Sequence, residues 1–547
     1  MKTKYLLLVI IILFGSFIRL FKISNLPPSL YYDEVDAGYQ AMVFNQNQTD
    51  YYGNKFPIHF HSFGDYRTSL HIYSIALFQK ITNNPELSIR LPSAIYGIVS
   101  IFILFLITKS LIPSFLLAIS PWAIHYSRIG FEASGMLLCL LLAIYFWQIF
   151  IKNNRFKYLY LTVLFLCLTP YFYSTAKFFI IIIVILFALI WRQEIFKIGF
   201  KKLILPFLFA VLLLLPMTKD TLTGKAGFRF SYISIFTLPH REQIVDTLRY
   251  QDASIDHPDQ IGISTSFLSS IFHNKYQLVA QKFISNYINS FSPEFLFLKG
   301  DLNARHGFGN HGLVYIVDFV FIVFGLFITF KTKQKNKLSL FFFWLLILSP
   351  IPYSLTRDSD SPNATRLILM SPSIIYFAYL GIKYIQQKYK GSIFLIILIY
   401  GLSCFSFWHY YYYHYPQESA AVWNTGMKEV IAVTNNYPQK TLIFSDSYLS
   451  FVSHFLFYHP YTLTPNISLM NNLQKIENRS FSGQVLDDKY FFGKINWNNF
   501  ELIPQNSLII IPETEKSQIP ESFKLIEKIN KKYEMAQNFY IYQFDNQ

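Results

Sequence analysis

Cysteine is nearly missing from this sequence: 547 residues include three, Cys139, Cys167 and Cys404. All lie in apolar runs and none has CxxC spacing, so neither a disulfide framework nor a zinc site is readable. Charge is scarce as well. Asp, Glu, Lys and Arg make up 14% of the chain, where a soluble globular protein carries about 25%. That shortage excludes an ordinary water-soluble enzyme. Acidic residues are the rarer sign, 32 against 47 basic, which leaves a formal net charge of +15. Such a surplus would suit a nucleic-acid binder, but the lysines sit in short clusters between apolar runs, as in the loops of a membrane protein. No nucleic-acid partner is expected. Internal repeats and low-complexity linkers are absent too, so no repeat architecture is expected.

What the chain has in plenty is apolar surface: 52% of residues are hydrophobic and 19% aromatic. The first run, Tyr5 to Leu20, follows a basic start and ends in "SFIRLFKISNLPP" without a small-x-small cleavage site. It reads as an uncleaved anchor. Further apolar stretches lie near 91–108, 111–124, 131–151, 158–172, 176–191, 203–217, 312–330, 338–353, 366–382 and 391–408. Several are shorter than the roughly 20 residues a lone helix needs to cross hydrocarbon, and about eleven spans are expected in all. Lys109 and basic clusters at 152–157, 192–202, 331–337 and 383–390 fall in alternate gaps, on the side of the N-terminus. Cytoplasmic loops carry that excess. The expectation is a multi-pass plasma-membrane protein with its N-terminus inside and residues 22–90, 218–310 and the tail from about 409 outside. Arg19 and Lys22 offend the rule, and Arg19 is expected to snorkel to the interface. In the tail, "KTLIFSD" (440–446) and "SLIIIPE" (507–513) read as strands, and 418–436 reads as one amphipathic helix. The expected fold class is thus an α-helical polytopic membrane protein, with a transmembrane domain over 1–410 and a small extracytoplasmic α/β domain over 411–547.

The expected outer ends of the spans hold the unusual polar groups. "LPPSLYYDEVDAGYQA" at 26–41 puts Asp33, Glu34 and Asp36 just beyond the first span. Charges at membrane depth are costly and mark function by default. A belt of cations follows: Arg67, Arg90, Arg128, Lys177, Arg305, Arg357 and Arg366, accompanied by His125 and His306. A carboxylate suits general-base work on an incoming hydroxyl or amine. Guanidinium and ammonium groups suit a phosphate, held in the ground state or stabilised as it leaves. The set fits a substrate with a lipid tail, a phosphate and a transferable group. Each element alone has a plainer explanation, the acidic pair as a solvated loop and a lone arginine as a headgroup contact. His59, His61 and His71 lack a metal-ligand spacing. "DSDSPN" (358–363) begins like a calcium loop, but a proline takes the third ligand position and the glycine is missing. Asp318, inside an apolar run, is the costliest acid by position.

In their order, these segments resemble the GT-C superfamily of polyprenyl-phosphate-sugar-dependent glycosyltransferases, in the branch of the protein O-mannosyltransferases and the aminoarabinose transferase of lipid A (glycosyltransferase family 39 type). "FIRLFKISNLPPSLYYDEVDAGYQA" is similar to that family's passage from its first span into its first outer loop. "DYRTSLHIYSIAL…LSIRLPSAIYG", "AISPWAIHYSRIGFEASGMLL" and "FLKGDLNARHGFGNHGLVYIVDFVFIVFGL" resemble later family passages. The resemblance runs from the first span to about residue 430. It implies transfer of a sugar, with inversion, from a polyprenyl-phosphate-linked donor to a protein, lipid or glycan acceptor at the outer face of the membrane. Asp33 carries over as the base, and Glu34 as its support or an acceptor contact. Arg90 carries over as the arginine that holds the acidic motif. Arg67 stands in place of a family lysine, and Thr68 and Ser69 replace the prolines beside it, so its phosphate contact does not carry over cleanly. Lys177 and Arg366 are further candidates for the donor phosphate, while His125, Arg128, Arg305 and His306 complete the substrate-binding set. Some superfamily members use a divalent metal; no ligand set for one is readable, and no cofactor is assigned. The competing expectation is a transporter or flippase of lipid-linked sugars. It would place charges near the midplane and show two similar halves, which this sequence does not. A non-catalytic scaffold would leave the polar belt idle.

Overall fold

The computed structural model of the chain describes all residues except 1, 224–226, 228–231, 257–266, 332–335, 358–360, 446–449, 460–471, 501 and 545–547. The basic cluster at 331–337, the aspartate-rich stretch at 358–363 and the strand end at 446 lie partly outside the described residues. Among those described, seven helices are long and apolar enough to cross a membrane. There are eight if Ala176–Ile190 and Arg192–Ile198, bent 83° apart, form one span. Other expected spans are shorter helices, such as Phe156–Phe172 and Ile316–Lys331. The run at 111–124 is divided between Leu111–Ile119 and Pro121–Arg128, with Pro121 opening the second piece.

The chain forms two compact units, each discontinuous in sequence. One takes Met1–Ile11, Ser100–Ala123 and Met136–Gly401; the other takes Ile12–Val99, Ile124–Gly135 and Leu402–Gln547. The first unit is helical. Its Phe200–Thr223 helix buries only 11% of its apolar window, the pattern of a surface that lipid covers. Ile316–Lys331 packs along Ser371–Lys388 through glycines. A Cβ on Gly325 would stand 1.9 Å from the Phe377 carbonyl oxygen, and one on Gly381 2.0 Å from that of Phe321. Small residues let helix backbones close where lipid supplies no hydrophobic drive. Asp318 in the first turn of Ile316–Lys331 accepts the Tyr315 N–H at 3.1 Å and the Tyr400 hydroxyl. It satisfies an orphan donor at a helix start, which accounts for an acid in an apolar run.

In the second unit, α1 (Lys2–Leu20) ends and the chain passes through the Leu-Pro-Pro loop into α2 (Tyr32–Asn47). A hairpin of β1 (His59–His61) and β2 (Tyr66–Thr68) follows, then α3 (Ser69–Gln79) and α4 (Pro85–Thr108). The tail supplies β3 (Thr441–Ser445), β4 (Leu473–Glu477), β5 (Phe481–Leu486), β6 (Tyr490–Ile495), β7 (Ser507–Pro512), β8 (Lys524–Ile529) and β9 (Phe539–Phe544). They form one sheet in the order β4-β5-β6-β3-β7-β9-β8, parallel at β6-β3-β7 and antiparallel elsewhere. Its central strands are apolar on both faces, as strands covered on two sides must be. Ile443, Ile509 and Ile511 point into one cluster. Leu442, Phe444, Leu508 and Ile510 point into another, shared with Val35 and Tyr39 of α2 and Ile72 of α3. The sheet is therefore part of the scaffold that holds α2. The single helix expected over 418–436 is instead two, Tyr415–Ser419 and Met427–Thr434. Asn424 (φ 52°) and Gly426 (φ 95°) break it by entering the left-handed region, where glycine and asparagine are the residues least penalised.

Candidate active site

Two buried guanidinium groups shape the approach to α2. Arg128 donates to the carbonyls of Ile18 (2.6 Å), Arg19 (3.2 Å), Phe21 (2.9 Å) and Leu26 (3.2 Å). The last carbonyls of α1, which no helical N–H reaches, thus find a cation at the negative end of the helix. Arg90 donates to the carbonyls of Ile23 (3.0 Å), Pro27 (2.9 Å) and Ser29 (2.5 Å). Arg128 was expected at the substrate, and Arg90 as the arginine that holds the acidic motif. Both are fully buried, and their terminal nitrogens donate to the protein's own backbone carbonyls. Arg19 does not snorkel either. It is wholly buried, with Nε donating to the Ser127 hydroxyl at 3.2 Å.

Glu34 meets the remaining face of Arg90. Its Oε1 accepts Arg90 Nε at 2.9 Å and the Gly130 N–H at 2.7 Å; Oε2 accepts a second Arg90 nitrogen and the Tyr31 N–H, both at 3.0 Å. The Tyr31 bond is half of a capping box that starts α2. Gly130 is needed for this approach, since a Cβ there would stand 2.5 Å from Ile89 and 3.2 Å from Glu34 Oε1. Glu34 is 0% exposed with four donors around it, so of the two expected parts, support of Asp33 or an acceptor contact, the geometry leaves no open face for the second.

Asp33 differs from its neighbour in every respect that matters. Its side chain is 32% exposed and pairs with Arg67 at 2.5 Å. The other edge of Arg67 meets Asp36 at 2.5 Å, and Asp36 also accepts the Ser62 hydroxyl (2.8 Å) and the Tyr51 hydroxyl (3.0 Å). Asp33 and Asp36 are three residues apart and so share one helix face, while the β1-β2 hairpin presents Arg67 across from Phe60. The flanking carboxylates of Asp33, Asp36 and Glu132 outweigh burial and hold the Arg67 proton well above the usual guanidinium range. Arg67 is thus a compensated cation between two acids rather than an open phosphate receptor. Asp36, Ser62 and Tyr51 were not among the expected site residues; the i, i+3 spacing of Asp33 and Asp36 was the available signal.

Two histidines are scaffold. His125 is fully buried against the rings of Tyr411, Tyr415 and Trp423, with Nδ1 3.3 Å from the Tyr411 hydroxyl. It was expected at the substrate, and the aromatic cage instead encloses it. On α3, His71 Nε2–H donates to the Gly130 carbonyl at 2.9 Å, and Nδ1 has no partner among the described residues. Burial pushes the His71 imidazole down to about 4 from 6.5. The folded protein therefore keeps His71 neutral where the unfolded chain protonates it. Its stability is fully present above pH 6.5 and declines as pH falls toward 4, by at most about 1.4 kcal/mol per unit. Thermal unfolding of detergent-solubilised protein between pH 7 and 5 is expected to show this slope, and His71→Gln to flatten it. An equal slope in both proteins would remove His71 as its source.

The other candidates lie in the first unit. Lys177, one residue into the Ala176–Ile190 helix, and Arg366 line one cavity of about 290 Å³. Ser174 and Thr356 add hydroxyls, and Phe178, Leu222, Ile233 and Pro352 make the remaining wall largely apolar. Arg366 donates to the Thr356 hydroxyl at 2.8 Å. Arg305 and His306 belong to a neighbouring loop. His306 Nδ1 lies 2.8 Å from the Thr365 hydroxyl, and buried Asp301 ties the loop to the Ser361 hydroxyl (3.3 Å) and the Ala364 N–H (2.9 Å). Neither Arg305 nor His306 lines the cavity that Lys177 and Arg366 share. Among the described residues no three His, Cys, Asp or Glu side chains are placed to hold a metal ion. Asp33 and Asp36 do not supply such a set, being bridged by Arg67.

Residues 67–218 match the dolichyl-phosphate-mannose-protein mannosyltransferase family. In fold, the chain is similar to ArnT from Cupriavidus metallidurans bound to undecaprenyl phosphate, at 10% identity and a TM-score of 0.52, covering 98% of this chain and 97% of that one. It covers 63% of the archaeal oligosaccharyltransferase AglB from Archaeoglobus fulgidus with 83% of its own length, at 13% identity and a TM-score of 0.47, a likeness too low to carry a conclusion. No curated protein sequence matches it. The mannosyltransferase match covers residues 67–218 alone, and the likeness to ArnT shows a shared fold along the whole length of the chain.

Proposed function

We propose that the protein transfers a sugar from a polyprenyl-phosphate-linked donor to an acceptor at the outer face of the plasma membrane, with Asp33 as the general base. The observation that carries this reading is the contrast within the acidic motif. Asp33 is about one-third exposed and pairs with Arg67, whereas Glu34 and Asp36 are buried and saturated with donors. Only Asp33 of the three is open to an incoming hydroxyl. Its pairing with Arg67 favours the ionised form, which a base needs.

The chemistry asks little more of the protein. The acceptor hydroxyl gives its proton to Asp33 as its oxygen attacks the anomeric carbon. The bond from that carbon to the phosphate oxygen breaks, and the electron pair leaves with the phosphate, which gains one negative charge. Attack opposite the leaving group inverts the configuration. Lys177 and Arg366 are the groups we assign to the lipid phosphate. Their cavity is lined by two cations and the hydroxyl-bearing Tyr173, Ser174, Thr175, Thr221 and Thr356, and charge-assisted bonds are the strong ones for phosphate. The lipid phosphate bound in the ArnT structure supports the same substrate class.

Proteoliposomes given a polyprenyl-phosphate sugar and an acceptor extract test this directly. A transferase releases free polyprenyl phosphate, while a flippase moves the donor with its sugar–phosphate bond intact. Lys177→Gln is expected to lower kcat/KM for the donor about 10- to 100-fold, the worth of one hydrogen bond to a charged group, mainly through KM. Translocation without release of polyprenyl phosphate would overturn the reading.

A further inference from the structure

The second unit holds another cavity, of about 310 Å³, within the size range of small-ligand sites. Its walls come from the Leu-Pro-Pro loop, the start of α4, the start of the Met427–Thr434 helix, and the β8-β9 turn. The lining is polar nearly throughout. Asn25, Asn84, Asn530 and Gln537 contribute amides, and Ser24 and Tyr533 hydroxyls. Pro28, Ile529 and Ala536 are the apolar pieces, too small to receive a lipid tail. Much of the charge around it is already spent. Lys428 pairs with Glu86, which also accepts the Tyr458 hydroxyl at 3.1 Å. Lys531 donates to the Glu534 carbonyl at 2.8 Å, and Lys532 lies over the Tyr533 ring. Glu429, Lys531 and Lys532 also line it, so the amides and hydroxyls stand among charges of both signs beside the phenol of Tyr533.

Such a surface suits a polyhydroxylated ligand, whose hydroxyls both donate and accept and whose ring faces lie on an aromatic side chain. A bare anion would meet the carboxylates of Glu86 and Glu429 among the lysines, and an apolar peptide side chain would strand the amides. The cavity also touches the catalytic scaffold. Ser29 is in its wall, and the Ser29 carbonyl accepts Arg90, which holds Glu34 beside Asp33. We propose that this cavity binds the carbohydrate part of the acceptor, so that the acceptor is itself a glycan or glycan-bearing molecule. The assignment of acceptor rests on the transferase reading above; the binding of sugar does not.

The test is binding of four soluble tetrasaccharides, from mannose, glucose, N-acetylglucosamine and galacturonic acid, to the purified full-length protein in detergent, read by saturation-transfer NMR. Saturable binding of at least one neutral tetrasaccharide is expected, weakened at least tenfold in Asn530→Trp. Asn530 is exposed, so the indole fills the opening without disturbing the core. Absence of saturable binding for all four, equal binding by the variant, or displacement of the tetrasaccharide only by peptide would each overturn the proposal. Release of polyprenyl phosphate from donor alone, into water, is expected to stay at the wild-type rate in Asn530→Trp. Sugar binding in a protein that releases no polyprenyl phosphate would sink the transferase reading and leave the carbohydrate cavity standing.

Discussion

Membranes carrying the Asp33→Asn protein are expected to lose sugar transfer by about 10²- to 10⁴-fold, the usual contribution of a positioned general base, while the protein inserts and folds as before. Asparagine keeps the shape of the side chain and can still accept a bond from Arg67, but it cannot take up a proton at neutral pH. Folding should survive because Asp33 is partly exposed and Arg67 keeps its second carboxylate, Asp36. The loss should fall on kcat, since the missing function acts as the acceptor oxygen attacks. Donor binding, followed by titration with the lipid-linked sugar, should change little. Turnover close to wild type in a folded Asp33→Asn protein would be decisive against this base.

The second large effect is expected one residue along, and of a different kind. Arg90→Met leaves Glu34 buried without its cation, and breaking one side of a buried ion pair costs roughly 3–5 kcal/mol. Three carbonyls of the loop before α2 lose their donor as well. Folded yield and unfolding midpoint, measured by size exclusion of detergent-solubilised protein, should both fall sharply. Arg90→Lys should not rescue them, because an ammonium group lacks the planar fork that serves a carboxylate and several carbonyls together. Glu34→Gln is the milder partner, and molecules of it that fold should transfer sugar near the wild-type kcat. A Glu34→Gln protein as stable as wild type but inactive would return Glu34 to the chemistry.

The acidic motif was visible in the sequence, but the division of labour inside it was not. Asp33 and Glu34 are consecutive, and consecutive helical residues point about 100° apart. Which of them meets Arg90 depends on how α4 and Gly130 pack, which no local pattern encodes. The same limit applied to the cations. Arg90, Arg128, Lys177 and Arg366 look alike as basic residues near span ends. Their partners separate them: backbone carbonyls for the first two and a cavity wall for the others. The strands of the tail announced themselves through residues such as Leu508 to Ile511. That both of their faces would be covered, one of them by α2, follows only from long-range packing.

The end of α1 and the passage from it to α2 are gripped almost wholly by their main chain, through seven carbonyl oxygens and two guanidinium groups. Any residue brings a carbonyl, so the exposed side chains of Phe21 and Lys22 are free to change without shifting the acids that follow. A library randomised at those two positions should stay active, whereas one randomised at 90 and 128 should collapse to arginine. The grip is indifferent to sequence at the place it holds and unforgiving at the two places from which it reaches.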